Sequence, residues 1–126
     1  PWRPTVSPAR PGGIDIWIEA VEANAERVFR ALAGFGAPLS TLGISPSDFV
    51  VPDRVIQIGI PPRRIDVLTG ITGVGFCSAW DRRISCSFSD LTVPVLGRED
   101  LIANKRAAGR PKDLVDVAVL EAKPGQ

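Results

Sequence analysis

Ile14-Asp15-Ile16-Trp17-Ile18 sets one carboxylate among β-favouring residues. In a strand the side chains alternate, so Asp15 and Trp17 fall on one face and the three isoleucines on the other. Ile65-Asp66-Val67-Leu68 repeats the pattern about fifty residues later. If the two strands are neighbours, Asp15 and Asp66 converge. Two carboxylates about 4 Å apart repel by roughly 4 kcal/mol at an effective dielectric near 20. Such a pair persists when a proton is shared or a cation sits between its members.

The composition narrows what that cation is. The chain has no histidine, which excludes Ser-His-Asp and Cys-His nucleophilic sites, zinc sites of the HExxH type and any imidazole base. Cys77 and Cys86 are the only soft ligands, and the expectation for them is free, buried thiols in a reducing compartment. A metal at the carboxylates is then a hard, oxygen-ligated one, Mg²⁺ or Mn²⁺. The length of 126 residues suits one domain with one core. A net charge of +1 gives no global field toward nucleic acid or membrane. Neither a signal-like apolar segment nor a run of membrane-spanning length occurs, so the expected setting is cytoplasmic, with no membrane partner.

Outward from the first strand, residues 1–13 are rich in proline and glycine and read as irregular. The absence of an initial methionine points to a piece of a longer reading frame. Glu19 to Ala33 carries an apolar stripe of Val21, Ala25, Val28, Phe29 and Leu32, the spacing of a helix, and Gly34 and Gly36 stop it. Ser45 caps a helical turn begun by Pro46. Val55 to Ile60 and Arg64 to Leu68 form a hairpin, with Pro61 and Pro62 ending the first strand. Gly70-Ile71-Thr72-Gly73-Val74-Gly75 leads into a short helix, Phe76 to Arg82, with Phe76 and Trp80 on one face. This loop lacks the spacing of a dinucleotide or Walker fingerprint, and tight turns account for its glycines better than a phosphate cradle does. Ile84 to Phe88 and Leu91 to Leu96 form a second hairpin. Helices then span Arg98 to Ala108, closed by Gly109, and onward from Pro111. The fold class is α/β (α+β): a short mixed sheet with helices packed on one side and a C-terminal helical pair. The domain runs over 14–121, followed by a tail at 122–126.

Within that helical pair three side chains draw notice. Lys105 lies roughly 40° from Leu101 at about 100° per residue, inside the apolar stripe, so its ammonium must either snorkel or meet an anion. Asp113 sits at the apolar margin of its helix, in the first turn, where the dipole welcomes an acid. Asp116 is placed to pair with Lys112 at the surface. The arginine pairs Arg63-Arg64 and Arg82-Arg83 read as solvated, and with Lys105, Arg106, Arg110 and Lys112 they offer at most a local patch for RNA.

Taken together, the IDIWI strand, the RIDVL strand and the segment from Asn104 to Asp116 (NKRAAGRPKDLVD) resemble the nucleotidyltransferase superfamily with the DNA polymerase β-like fold. The nearest likeness is to small bacterial proteins related to abortive-infection (AbiEii-type) nucleotidyltransferase toxins. The resemblance implies a metal-dependent nucleotidyltransferase that passes a nucleotidyl group from an NTP to a hydroxyl of RNA, such as tRNA, or of protein. It also implies a toxin–antitoxin component with an antitoxin partner. By the same resemblance Asp15 and Asp66 are the catalytic and metal-binding residues for Mg²⁺ (or Mn²⁺), and Lys105, Arg110 and Asp113 belong to the nucleotide site. Two departures accompany it. Gly13 stands where the family has its first metal-binding aspartate, and the upstream glycine loop on a helix has no counterpart in residues 1–12. Losing one of three ligands weakens a Mg²⁺ site, since the ion demands near-octahedral oxygen geometry. The alternative is a degenerate domain that binds nucleotide or a protein partner without turnover.

Overall fold

A computed structural model describes residues 4–5, 13–60 and 63–122. The order along the chain is β1 (Pro4–Thr5), β2 (Gly13–Trp17), α1 (Glu22–Gly34), a 3-10 turn (Pro46–Val50), β3 (Val55–Ile58), β4 (Arg64–Leu68), α2 (Phe76–Asp81), β5 (Ile84–Phe88), β6 (Leu91–Val95), α3 (Arg98–Ala108) and α4 (Pro111–Ala122). Helices and sheets share one mixed α/β architecture, as expected. Four strands form a sheet in the order β1-β2-β4-β3, and β5 with β6 forms a separate antiparallel pair.

In the larger sheet β2 and β4 run parallel, while β1 and β3 pair antiparallel at its edges. The isoleucine face of β2 and β4 meets the apolar stripe of α1. Ile16, Ile18, Ile56, Ile58 and Val67 pack with Ala25, Val28, Leu32, Leu39 and Phe49 in one core. Each of these larger aliphatic or aromatic side chains contributes about 1.5–3 kcal/mol by leaving water. The opposite face of the sheet is covered too: Trp17 is buried there and meets Phe76 of α2 edge-on, with centroids 5.0 Å apart. Phe76 in turn stacks with Trp80 at 6.4 Å, so one face of α2 does carry both rings.

Several boundaries differ from the sequence reading for local reasons. The segment 1–13 is not wholly irregular: Pro4–Thr5 pairs with β2, and Gly13 already belongs to β2. The rest of that segment, with Pro61, Pro62 and the tail 123–126, lies outside the described residues. Helix α1 starts at Glu22 rather than Glu19. Val21 keeps an extended backbone, and the buried Asn24 donates from Nδ2 to the Glu19 carbonyl at 2.8 Å, holding the chain open as it leaves the sheet. Strand β3 ends at Ile58, followed by Gly59 at φ +87°. The 3-10 turn begins at Pro46 as predicted, and Asp48 reaches back to accept from the Ser45 N–H at Oδ2, 2.8 Å. Both thiols are free but not both buried. Cys77 is exposed on α2, where its thiol lies 3.9 Å from Glu19 Oε2, and Cys86 is half-buried in β5.

Candidate functional site

Parallel pairing of β2 with β4 sets Asp15 directly beside Asp66, with Gly13 beside Arg64 one step earlier. Partners in register point to the same face of a sheet, on strands about 4.8 Å apart. Positions 13, 15, 64 and 66 therefore form a square on the face opposite the isoleucine core. The antiparallel neighbour extends the Asp15–Asp66 row to Gln57, and the register of β1 puts Thr5 at its other end. The two separated carboxylates of the sequence are thus adjacent, on one side of one sheet.

Their surroundings differ. Asp15 is half-buried, whereas Asp66 is fully enclosed. An ionised carboxylate without a partner is costly in such a place. Arg64, two residues earlier on the same strand and so on the same face, brings its Nε to 3.0 Å from Asp66 Oδ1. The spacing Arg-x-Asp in a strand is the sequence signal for that ion pair. The square then holds two negative charges and one positive one.

These residues do not fit a two-ion Mg²⁺ centre. Gly13 offers no side-chain ligand at the third corner, and one of the two remaining carboxylates already carries a guanidinium. Mg²⁺ dehydrates reluctantly and takes hard oxygen ligands in near-ideal octahedral geometry. A cation would have to displace Arg64 from an enclosed aspartate to gain that ligand. Among the described residues no group of three or more His, Cys, Asp or Glu side chains is placed to hold a metal.

The other predicted site residues come together at the turn between α3 and α4. Gly109, at φ +66°, ends α3 in a left-handed conformation that suits glycine, with its N–H donating to the Lys105 carbonyl at 3.0 Å. Arg110 donates through Nε at 2.6 Å and Nη2 at 3.2 Å to the two oxygens of Asp113. The backbone N–H of Arg110 adds a third contact at 3.3 Å. Lys105 donates to Asp116 at 2.9 Å and stands 4.0 Å from Asp113 Oδ1. The Arg110 bonds hold the Asp113 carboxyl below its usual range, against the opposing effect of desolvation, and Lys105 adds to the lowering. The buried lysine therefore meets anions of its own chain. Asp116 pairs with Lys105 of the neighbouring helix.

The arginines read as solvated are largely committed as well. Arg82 grips the buried Asp100 of α3 through Nε at 3.1 Å and Nη2 at 2.7 Å, a bidentate pair that raises the Arg82 pKa above its ordinary value. Arg83 lies over the Trp80 ring, 3.7 Å from its centroid, and Arg106 pairs with Glu121. Arg64, Lys105 and Arg110 are engaged within the chain as well. The glycine loop has a packing explanation. Gly73 takes φ +80°, and a Cβ there would come within 2.6 Å of the Ala107 methyl on α3. The helix it precedes spans six residues only.

A scan against models of known protein families gives no match, and a search of curated proteins gives none either.

Proposed function

We propose that the chain is a nucleotidyltransferase-like domain that keeps the paired-carboxylate register of a transferase site and acts as a nucleotide-binding module without turnover. The observation that carries this reading is the square on the sheet. Asp15 and Asp66 sit side by side, as the resemblance implies, while Gly13 and the Arg64–Asp66 pair take away the charge a metal-dependent transferase needs. Exposed Gln57 offers an amide acceptor and donor at the margin of the row for a ribose hydroxyl or a base edge.

The rival reading is metal-dependent transfer of a nucleotidyl group from an NTP to RNA or protein, with Mg²⁺ or Mn²⁺ and an antitoxin partner. The Asp15–Asp66 adjacency alone favours it. One experiment separates the two: calorimetric titration of the full chain with each NTP, alongside incubation with labelled NTPs, Mg²⁺ and a tRNA pool. The expected result is saturable binding of at least one NTP with no label transferred. Transfer that requires Mg²⁺ and disappears in Asp15→Asn establishes the rival, and no binding of any NTP removes the module reading.

A further inference from the structure

We propose that β3 is a docking edge whose partner is the β3 strand of a second copy of this chain, paired antiparallel about a two-fold axis at Gln57. The inference rests on the sheet and its flanking charges, not on the nucleotide reading.

Strand β3 closes one side of the sheet, with β4 along one flank and, among the described residues, no strand along the other. The bonds to β4 define that open flank. The Thr69 N–H donates to the Arg54 carbonyl at 2.9 Å, and the register continues with Ile56 beside Val67 and Ile58 beside Ile65. Arg54, Ile56 and Ile58 therefore turn their amides toward β4. By the alternation of an antiparallel ladder, Val55 and Gln57 turn theirs outward, where they meet no backbone partner among the described residues. Such an edge is a template for another strand. Val55 is 51% exposed and Ile60, just beyond the strand, 79%.

Two features select a second copy over an arbitrary strand. The edge fits itself: with Gln57 on the axis, its main chain exchanges both bonds with the partner's Gln57, and exposed Val55 falls opposite the partner's Gly59, which has no side chain to crowd it. The ends are also oppositely charged. Asp53 before the strand and Arg63 after it are both exposed, and neither has an ion-pair partner among the described residues. Antiparallel pairing sets the Asp53 end of each copy beside the Arg63 end of the other, so the attraction is made twice. Because β3 has four residues, the contact falls below the roughly 1,200–2,000 Å² of a stable interface. The expected dimer is a transient one, with a Kd of about 10–100 µM.

The test is sedimentation of the full chain without nucleotide, from about 1 to 500 µM so as to bracket that Kd, at low and at high salt, with amide hydrogen exchange as the residue-level readout. The expected result is a rise from the mass of one chain toward that of two, reduced by salt. Exchange at the Val55 and Gln57 amides should slow over the same range. Gln57→Pro removes an outward N–H that the ladder to β4 does not use, and should abolish the dimer. Arg63→Glu should weaken it by about threefold or more at low salt and match wild type at high salt. If Gln57→Pro does not fold, Arg63→Glu and the two amides decide the matter. A chain that stays monomeric throughout the range overturns the inference and leaves the edge to a strand of another protein. A dimer that Gln57→Pro leaves intact overturns it as well, and moves the contact to another surface, such as the exposed Leu114 and Val115 of α4.

Discussion

Among the described residues Arg64, Arg82 and Arg110 each hold a buried aspartate, and the first and last of these pairs do so with different neighbours. On the sheet, Asp66 is 1% exposed and its partner Arg64 22%, and the adjacent residue in register is another acid, Asp15. At the α3–α4 turn, Asp113 is 2% exposed, its partner Arg110 is 58% exposed, and the adjacent charge is Lys105. The helical corner is balanced, with Lys105 and Arg110 answering Asp113 and Asp116. On the sheet two acids share one row in register, with Arg64 beside one of them. Similar residues therefore serve different ends. The corner is an ion network that joins two helices, whereas the square sets two carboxylates in register on one face of the sheet, which is why the functional reading belongs there.

The sharpest way to break this comparison is to remove each arginine in turn. Arg64→Ala takes the guanidinium away from an enclosed carboxylate that stands beside a second one, and should cost about 3 kcal/mol of folding stability. Asp66→Asn removes the buried charge itself and should cost clearly less. Urea unfolding of the two variants checks the order, and an Arg64→Ala chain as stable as wild type would show that the pair is not what holds Asp66.

Next in size is Gly73→Ala, which touches the contact between the loop after β4 and α3. The positive φ and the 2.6 Å approach to Ala107 should together cost about 1–3 kcal/mol. A stability change below a few tenths of a kcal/mol would argue that the loop does not bear on α3.

Asp113→Ala should cost about 1–2 kcal/mol, less than Arg64→Ala, because the exposed Arg110 returns to water when its partner is lost. Equal losses for Asp113→Ala and Arg64→Ala would erase the contrast between the two regions.

The smallest effect is one of pH. The Asp113 carboxyl is held below its usual range by Arg110, so its folded pKa is lower than its unfolded one. Its contribution is complete above the ordinary carboxylate pKa of about 4 and is lost as pH falls through the lower, folded value. Acid unfolding of Asp113→Asn should accordingly show a shallower loss of stability below about pH 4 than wild type. Superimposable acid profiles would mean that Asp113 takes no part in the pH dependence.

Much of the secondary structure was legible in the chain. β4, the 3-10 turn, β5 and α3 fall where alternation, capping and helical spacing put them, because those signals are local. The start of α1 was not, since Asn24 holds Glu19 through a bond across the helix entrance that no periodicity reveals. Lys105 stood out from its place in an apolar stripe, yet its partners lie on the next helix, and only the turn at Gly109 brings them within reach. Arg82 read as a solvated cation because Asp100 is eighteen positions away in sequence.

By itself the sequence determined that two strands each carry a lone aspartate on the face opposite their aliphatic residues, and that no histidine or thiol cluster competes for the chemistry. Tertiary structure alone decided that the strands run parallel in matching register. It also decided that the Arg64 guanidinium stands 3.0 Å from Asp66. The reason is that side-chain alternation is written into each strand, whereas register and charge pairing between strands depend on how distant segments bury their surfaces together.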